Sequence, residues 1–300
     1  MSKRPFLLFT VCAVAFTSLA VLSSCVGNRD KIAFEQAQTI DARPFLSEAE
    51  LLRSLSEESW AALGLGGLRE EESGVLGLVV PHHAAAAALA AEAISRLAEN
   101  PPPTVIILAP NHYNTGSVAI GTTSDFICYG KKVESDAVAV KRLASAGLVS
   151  VSDEPFEREH SVGMLLPVVA WYLPDVKVIP VIFHHGCETQ KILEIIEALK
   201  AETEAGAVIV ASIDFSHYLT MAEAEEKDRE IKGYMESGDI ETIAGLDSSY
   251  VDSPTILAAM LAHFGAENME IIANTNSGVI MQNQASQCTS YFTIRFCGKK

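Results

Sequence analysis

From Val75 onward, short apolar runs alternate with longer stretches whose apolar positions recur every three or four residues. The runs are VLGLVVP (75–81), PTVIILAP (103–110), VKVIPVIFHHG (176–186) and AVIVASIDFSHY (207–218). Continuous apolar runs of this length predict strands buried on both faces. Between them, an alanine-rich stretch (82–100) and segments 134–148, 160–173, 189–206, 222–238 and 253–266 read as helices. AIGTTSDFICYG (119–130) predicts a strand pair, and MEIIANTNSG (269–278) and SYFTIRFCG (290–298) close the chain as strands. Upstream, SEAELLRSLSEESWAALG (47–64) predicts short helices, with Ser47 as N-cap and Glu50 three residues on. Strands alternating with helices give the fold class: α/β, one domain over 41–300, a largely mixed or parallel central sheet flanked by helices.

The first residues break this pattern. Lys3 and Arg4 precede a charge-free segment from Pro5 to Leu22, which ends in Leu22-Ser23-Ser24-Cys25. An aliphatic residue, two small ones and a cysteine have the shape of a lipobox. Residues 1–24 are therefore expected to be a lipoprotein signal peptide, Cys25 the lipidation site, and 25–40 a polar tether. A plain signal peptide and an uncleaved anchor are the competing readings. The expected location is the cell envelope, with the chain exported and held to the membrane through the lipid on Cys25.

Composition narrows the function classes. Hydrophobic residues are 49% and charged residues 20% of the chain, which excludes disorder. A formal net charge of −16 repels a polyanion, so no nucleic-acid partner is expected. An unidentified small molecule or peptide is the expected ligand. Cys128, Cys187, Cys288 and Cys297 form no CxxC pair, so no zinc ribbon is indicated. Export would permit a disulfide, and Cys288 and Cys297 flank a predicted strand. GxSxG, a Walker A loop and HExxH are all absent from the sequence.

Candidate chemistry gathers where the strands end. In open α/β sheets, ligands bind beyond the carboxyl ends of the strands. His82 and His83 follow the first run, His112 the second, His184 and His185 the third, and His217 the fourth. Each histidine taken alone reads as a structural residue; their recurrence at strand ends points to one site. Imidazole ligates iron, copper and zinc and serves as a general base. Pro81 and Pro110 precede two of these turns and fix their direction. Asp214 and His217, three residues apart, are expected to face one cavity; a turn capped by Asp214 is the alternative. Glu159-His160-Ser161 precedes an apolar helix, as an N-cap or as a contact to ligand. His184 and His185 are expected to cap a helix or lie at the surface.

These motifs, VVPHHA, ILAPNHYNTG, EREHSVGMLLP, VIVASIDFSHY and the closing NTNSG and SYFTIRF, together resemble the MEMO family, called AmmeMemoRadiSam system protein B in bacteria and archaea. The resemblance covers roughly residues 42–297. It implies a fold similar to class III extradiol dioxygenases and a vestibule able to bind iron or copper through two histidines and a cysteine. His82 and His112 fall on the two histidines, Asp214 and His217 on the DFxH segment, and Glu159, His160 and Ser161 on the EHS segment. The cysteine is missing: Val251 stands near its place and Asp252 is adjacent. Leu165 stands where the family has a further histidine. The expected metal set is therefore His82, His112 and Asp252, a two-histidine, one-carboxylate triad for Fe(II) or Cu. Asp252 as a helix N-cap ahead of Pro254 is the alternative. The expected catalytic residues are His217, Asp214 and His160. The expected function is redox or dioxygenase-like; the alternative is a non-catalytic binding or scaffold module that has lost the metal site.

Overall fold

The structure, a computed structural model, describes residues 38–42, 45–65, 74–283 and 287–298. The predicted signal segment, Cys25 and the tether up to residue 37 lie outside these residues. Among the described residues no helix is long and apolar enough to cross a membrane.

Among the described residues, eleven strands form two sheets. They are β1 (Thr39–Asp41), β2 (Val75–Val80), β3 (Thr104–Pro110), β4 (Ala119–Gly121), β5 (Asp125–Cys128), β6 (Lys131–Val133), β7 (Ser150–Val151), β8 (Lys177–Phe183), β9 (Val208–Ser212), β10 (Met269–Asn276) and β11 (Ser290–Cys297). The main sheet has the order β10-β11-β2-β9-β3-β8-β4-β7. Its centre, β2-β9-β3-β8, is parallel throughout, while β11 and β4 run antiparallel against it. β1, β5 and β6 form a separate small sheet.

The central strands are apolar on both faces because both faces are covered. Val80, Ile107, Ile182 and Val210 pack on one side with the helices Ala87–Arg96 and Leu166–Tyr172. Val79, Ile106, Val181 and Ile209 pack on the other with Ala137–Ser145, Thr189–Ala198 and Pro254–Phe264. Neighbours in sequence thus face opposite ways, as the two-residue period of a strand requires. The mixed α/β sheet flanked by helices is the fold class that the apolar runs predict.

Several details differ from the sequence expectations. AIGTTSDFICYG is not a strand pair: β4 joins the main sheet beside β8, and β5 joins the small one. The predicted helix at 82 begins later, with a 3-10 turn at Ala84–Ala86 and the α-helix from Ala87, because His82 and His83 continue outward from the strand. Segment 160–173 is two helices, His160–Gly163 and Leu166–Tyr172, the second with Pro167 in its first turn, where a missing N–H costs nothing. The strand expected over 207–218 stops at Ser212, freeing residues 213–218 to form the site. Ser47 and Glu50 do make a reciprocal capping box. Cys128, Cys187 and Cys288 are buried thiols outside any disulfide, so Cys288 is not bridged to Cys297.

β10, at one edge of the main sheet, carries a register irregularity between Ile271 and Ala273; β7, at the other, is two residues long.

Candidate metal centre

Topology brings the polar residues together. β9 enters the sheet between β2 and β3, so the segment leaving β9 lies between the segments leaving the other two. His82 follows β2, Asp214 follows β9 and His112 follows β3.

Hydrogen bonds fix both imidazoles in one tautomer. Ser212 Oγ donates to the Ser161 carbonyl at 2.6 Å, leaving its lone pairs to accept from His82 Nδ1 at 3.0 Å. His112 Nδ1 donates to Glu159 Oε1 at 2.7 Å, and the His112 backbone N–H donates to Glu159 Oε2 at 2.8 Å. Glu159 is also the N-cap of the short helix His160–Gly163 and accepts the Ser161 N–H at 3.0 Å. With each Nδ1 holding its proton, each Nε2 presents a lone pair. This outer ring of acceptors is the arrangement that makes imidazole a good ligand.

The two Nε2 atoms face carboxylates. His82 Nε2 lies 3.3 Å from Asp252 Oδ2 and 3.5 Å from Asp214 Oδ2; His112 Nε2 lies 3.9 Å from Asp252 Oδ2. Asp214 Oδ1 accepts the backbone N–H groups of His82 at 3.0 Å and His83 at 3.4 Å. Asp252 is locked to the same segment: its N–H donates to the Asp214 carbonyl at 3.0 Å, and its Oδ2 accepts the Asp214 N–H at 3.2 Å. Beside them Phe215 and Val251 form an isolated bridge. Asp252 therefore turns inward and does not cap the following helix, whose N-cap is Ser253. Its Oδ1 is buried and has no hydrogen-bond partner.

Burial dominates the electrostatics. It pushes the Asp252 carboxyl well above its usual range, with the charge of Asp214 adding to the effect, and it raises Asp214 against the pull of His217. It lowers His82 strongly, helped by the neighbouring His112 and His160, and lowers His160 and His217 as well. At Glu159 burial works upward, but the hydrogen bond from His112 Nδ1, with two backbone N–H donors, outweighs it and holds the carboxyl below its usual range. Two adjacent buried carboxylates without a cation are costly.

The remaining histidines take different places. His160 stacks on His112, ring centroids 4.2 Å apart and planes inclined by 26°. His217 lines an open cleft of about 440 Å³ with His112, His184, His185 and Asp252. His184 and His185 do not cap the next helix, whose N-cap is Glu188. His83 leaves the group: its Nδ1 pairs with the Tyr291 hydroxyl at 2.9 Å. Ser212 went unread in the sequence, since a serine closing an apolar run carries no motif.

Among the described residues, two groupings offer ligand atoms within 4.8 Å of one another: His82, His112 and His160, and His82, Asp214 and Asp252. The donor set fits a divalent ion. Bonds of about 2.0–2.2 Å to nitrogen and oxygen put neighbouring ligand atoms about 3.0–3.6 Å apart, near the spacings seen here.

Fold and site together define an α/β protein with a candidate metal centre of imidazoles and carboxylates at the carboxyl edge of its sheet. The family model described as Memo-like protein matches residues 45–295, and the chain belongs to that family. MEMO1 family protein MK0963 of Methanopyrus kandleri is 28% identical over 281 residues, covering 87% of this chain and 99% of that protein. MEMO1 family protein PAE0818 of Pyrobaculum aerophilum is 30% identical over 244 residues, covering 75% and 86%. The crystal structure of uncharacterized protein JW3007 from Escherichia coli K12 aligns at a TM-score of 0.48 and 11% identity, over 73% of this chain and 99% of that one.

Proposed function

We propose that this chain is a metal-dependent redox protein whose ion, Fe(II) or Cu, is held by His82, His112 and Asp252. The observation that carries the reading is the pair of Nε2 lone pairs, each fixed by an acceptor behind it, converging on a buried carboxylate with an unpartnered oxygen. When bound, a redox-active ion would supply electron exchange with a molecule in the cleft. The residues do the rest. Ser212 and Glu159 keep the imidazoles aimed. Asp214 holds the turn after Pro81 through two backbone N–H groups. His217, on the cleft wall and kept neutral by burial, is placed to take or return a proton. His160 covers the outer face of His112. The reaction assigned is dioxygenase-like or a related redox conversion of a small molecule or peptide.

The competing reading, a binding or scaffold module without an ion, has its own support. Burial raises Asp214 and Asp252, so protons can neutralise the pair in an ion's place. Metal analysis of anaerobically purified protein separates the two. About one Fe or Cu per chain, lost in both His82→Ala and His112→Ala, supports the metal reading. Equal metal in parent and both variants defeats it.

The reading includes export and anchoring. The segment Leu22-Ser23-Ser24-Cys25 supports lipidation at Cys25, with residues 1–24 removed. A chain carried outside in this way meets small molecules or peptides of the envelope, not cytosolic partners.

A further inference from the structure

We propose that the cleft beside the centre selects organic cations, holding a protonated amine between the carboxylate of Asp247 and the ring of Tyr218. This names a ligand class and rests on the reading that the cleft receives a small molecule or peptide; it is independent of the ion.

Tyr218 is held in a costly backbone conformation that returns nothing to the core. Its φ is 59°, in the left-handed region that bulky side chains rarely adopt, and the residue is 78% exposed. Its neighbours impose the conformation. Ser216 is tied to Ser290: its N–H donates to Ser290 Oγ at 3.1 Å, and its carbonyl accepts the Ser290 N–H at 2.9 Å. Both serines are fully buried, and Ser290 Oγ donates in turn to Asp228 at 2.6 Å. Leu219 forms an isolated bridge with Cys288. From Ser216 to Leu219 the chain takes three steps where its partner, from Ser290 to Cys288, takes two. The surplus is a bulge, and its two residues, His217 and Tyr218, line the cleft. Strain fixed by its surroundings and matched by no packing points to a ligand contact.

Charge decides which ligand that ring meets. Asp247 and Asp252 line the cleft, and no lysine or arginine does among the described residues. His217 is kept neutral by burial. Asp247 Oδ1 accepts the Ser249 hydroxyl at 2.6 Å and the Ser249 N–H at 2.8 Å, which hold this exposed carboxyl below its usual range. Its Oδ2 accepts no hydrogen bond among the described residues. Lys227 adds to the lowering at Asp247 but is engaged elsewhere: Nζ donates to the Tyr250 hydroxyl at 2.7 Å and lies 3.7 Å from Glu230 Oε2. On the cleft wall His184 Nε2 is buried with no hydrogen-bond partner among the described residues, a cost that a polar ligand atom would remove. A phosphate or carboxylate would meet Asp247 and Asp252 with no counter-charge. An ammonium gains the Asp247 carboxylate and the negative face of the Tyr218 ring. Phe183, Val251 and Ile256 give its hydrocarbon part an apolar wall.

The test uses three probes with one ring and three charges: 4-fluorobenzylamine, 4-fluorobenzyl alcohol and 4-fluorobenzoate. Each is titrated by fluorine NMR into the metal-stripped full-length chain at low ionic strength. The amine should bind about 5-fold or more tighter than the alcohol, and the benzoate weakest. Asp247→Asn should bring amine and alcohol to within about 2-fold of each other. Glu236→Gln removes an exposed carboxylate that does not line the cleft, and should leave the preference unchanged. Tyr218→Asn should weaken the amine by about 3-fold or more. Asparagine tolerates the left-handed backbone, so this variant should melt no lower than parent. Equal binding of the three probes, no binding of any, or an amine preference that survives Asp247→Asn or is lost in Glu236→Gln overturns the proposal. So does a Tyr218→Asn variant that binds the amine as parent does, or that melts lower, which would give the ring a structural task. Should Tyr218→Asn fail to fold, Asp247→Asn against Glu236→Gln decides. A negative result here leaves the metal analysis of His82→Ala and His112→Ala untouched, and metal-free protein that prefers the amine leaves this proposal standing alone.

Discussion

Glu159→Gln isolates the outer ring of the centre. Glu159 is fully buried and accepts three N–H donors, two of them from His112. Glutamine has one acceptor oxygen and one NH2 group. If its oxygen stays toward His112 Nδ1 and Ser161 N, the NH2 meets the His112 backbone N–H, donor against donor. If it turns the other way, His112 must move its proton to Nε2, and the lone pair that faces Asp252 is gone. Either arrangement loses a hydrogen bond to a charged group, about 1.5–3 kcal/mol. In a domain of this size each kcal/mol shifts the melting midpoint by about 2–4 °C, so a fall of about 5–10 °C is expected. Metal affinity should fall by about 10–100-fold, the usual effect of removing a ligand's orienting partner. Scanning calorimetry of the metal-stripped protein reads the first effect and metal titration the second. A variant that melts within about 1 °C of parent and binds metal equally would refute the account of how His112 is held.

Three further outcomes follow. Asp228 is buried against Ser290 and Asn274, and burial outweighs their hydrogen bonds to raise its pKa from 3.8 to about 6. The folded state thus binds this proton more tightly than the unfolded one: the contribution is whole below about pH 4 and is lost as pH rises through about 6, a swing of about 3 kcal/mol. Asp228→Asn should gain on parent across that window in melting experiments; a pH-independent difference would contradict the burial argument. Gly163→Ala would drive a Cβ into the Phe45 ring, and the overlap should cost about 1–3 kcal/mol, read as a lower urea midpoint; an unchanged midpoint would mean the ring moves freely. Cys25→Ser should move the chain from the membrane to the soluble fraction and abolish incorporation of labelled fatty acid; retention of the label would place the lipid elsewhere.

The sequence revealed the fold's outline because the four central strands are buried on both faces and so are apolar without interruption. It also marked the strand-end histidines, since polar residues after such runs stand out. What it hid depends on contacts distant in the chain. His82 and Ser212 meet across 130 residues, and His112 and Glu159 across 47, through the insertion of β9 between β2 and β3. No periodicity reports that order. The strand pairing of AIG with DFIC failed for a related reason: proximity in sequence suggested a hairpin, while β8 offered β4 a longer partner. The start of the helix after His83 was misjudged because alanine propensity says nothing about where a strand's last residues must point.

The main sheet closes with a two-residue strand on one side and an irregular register on the other. Exposed peptide groups along a long straight border would let copies polymerise border to border. A stub and a kink deny them a continuous run of partners. Many copies crowded together at high local density should therefore remain separate bodies.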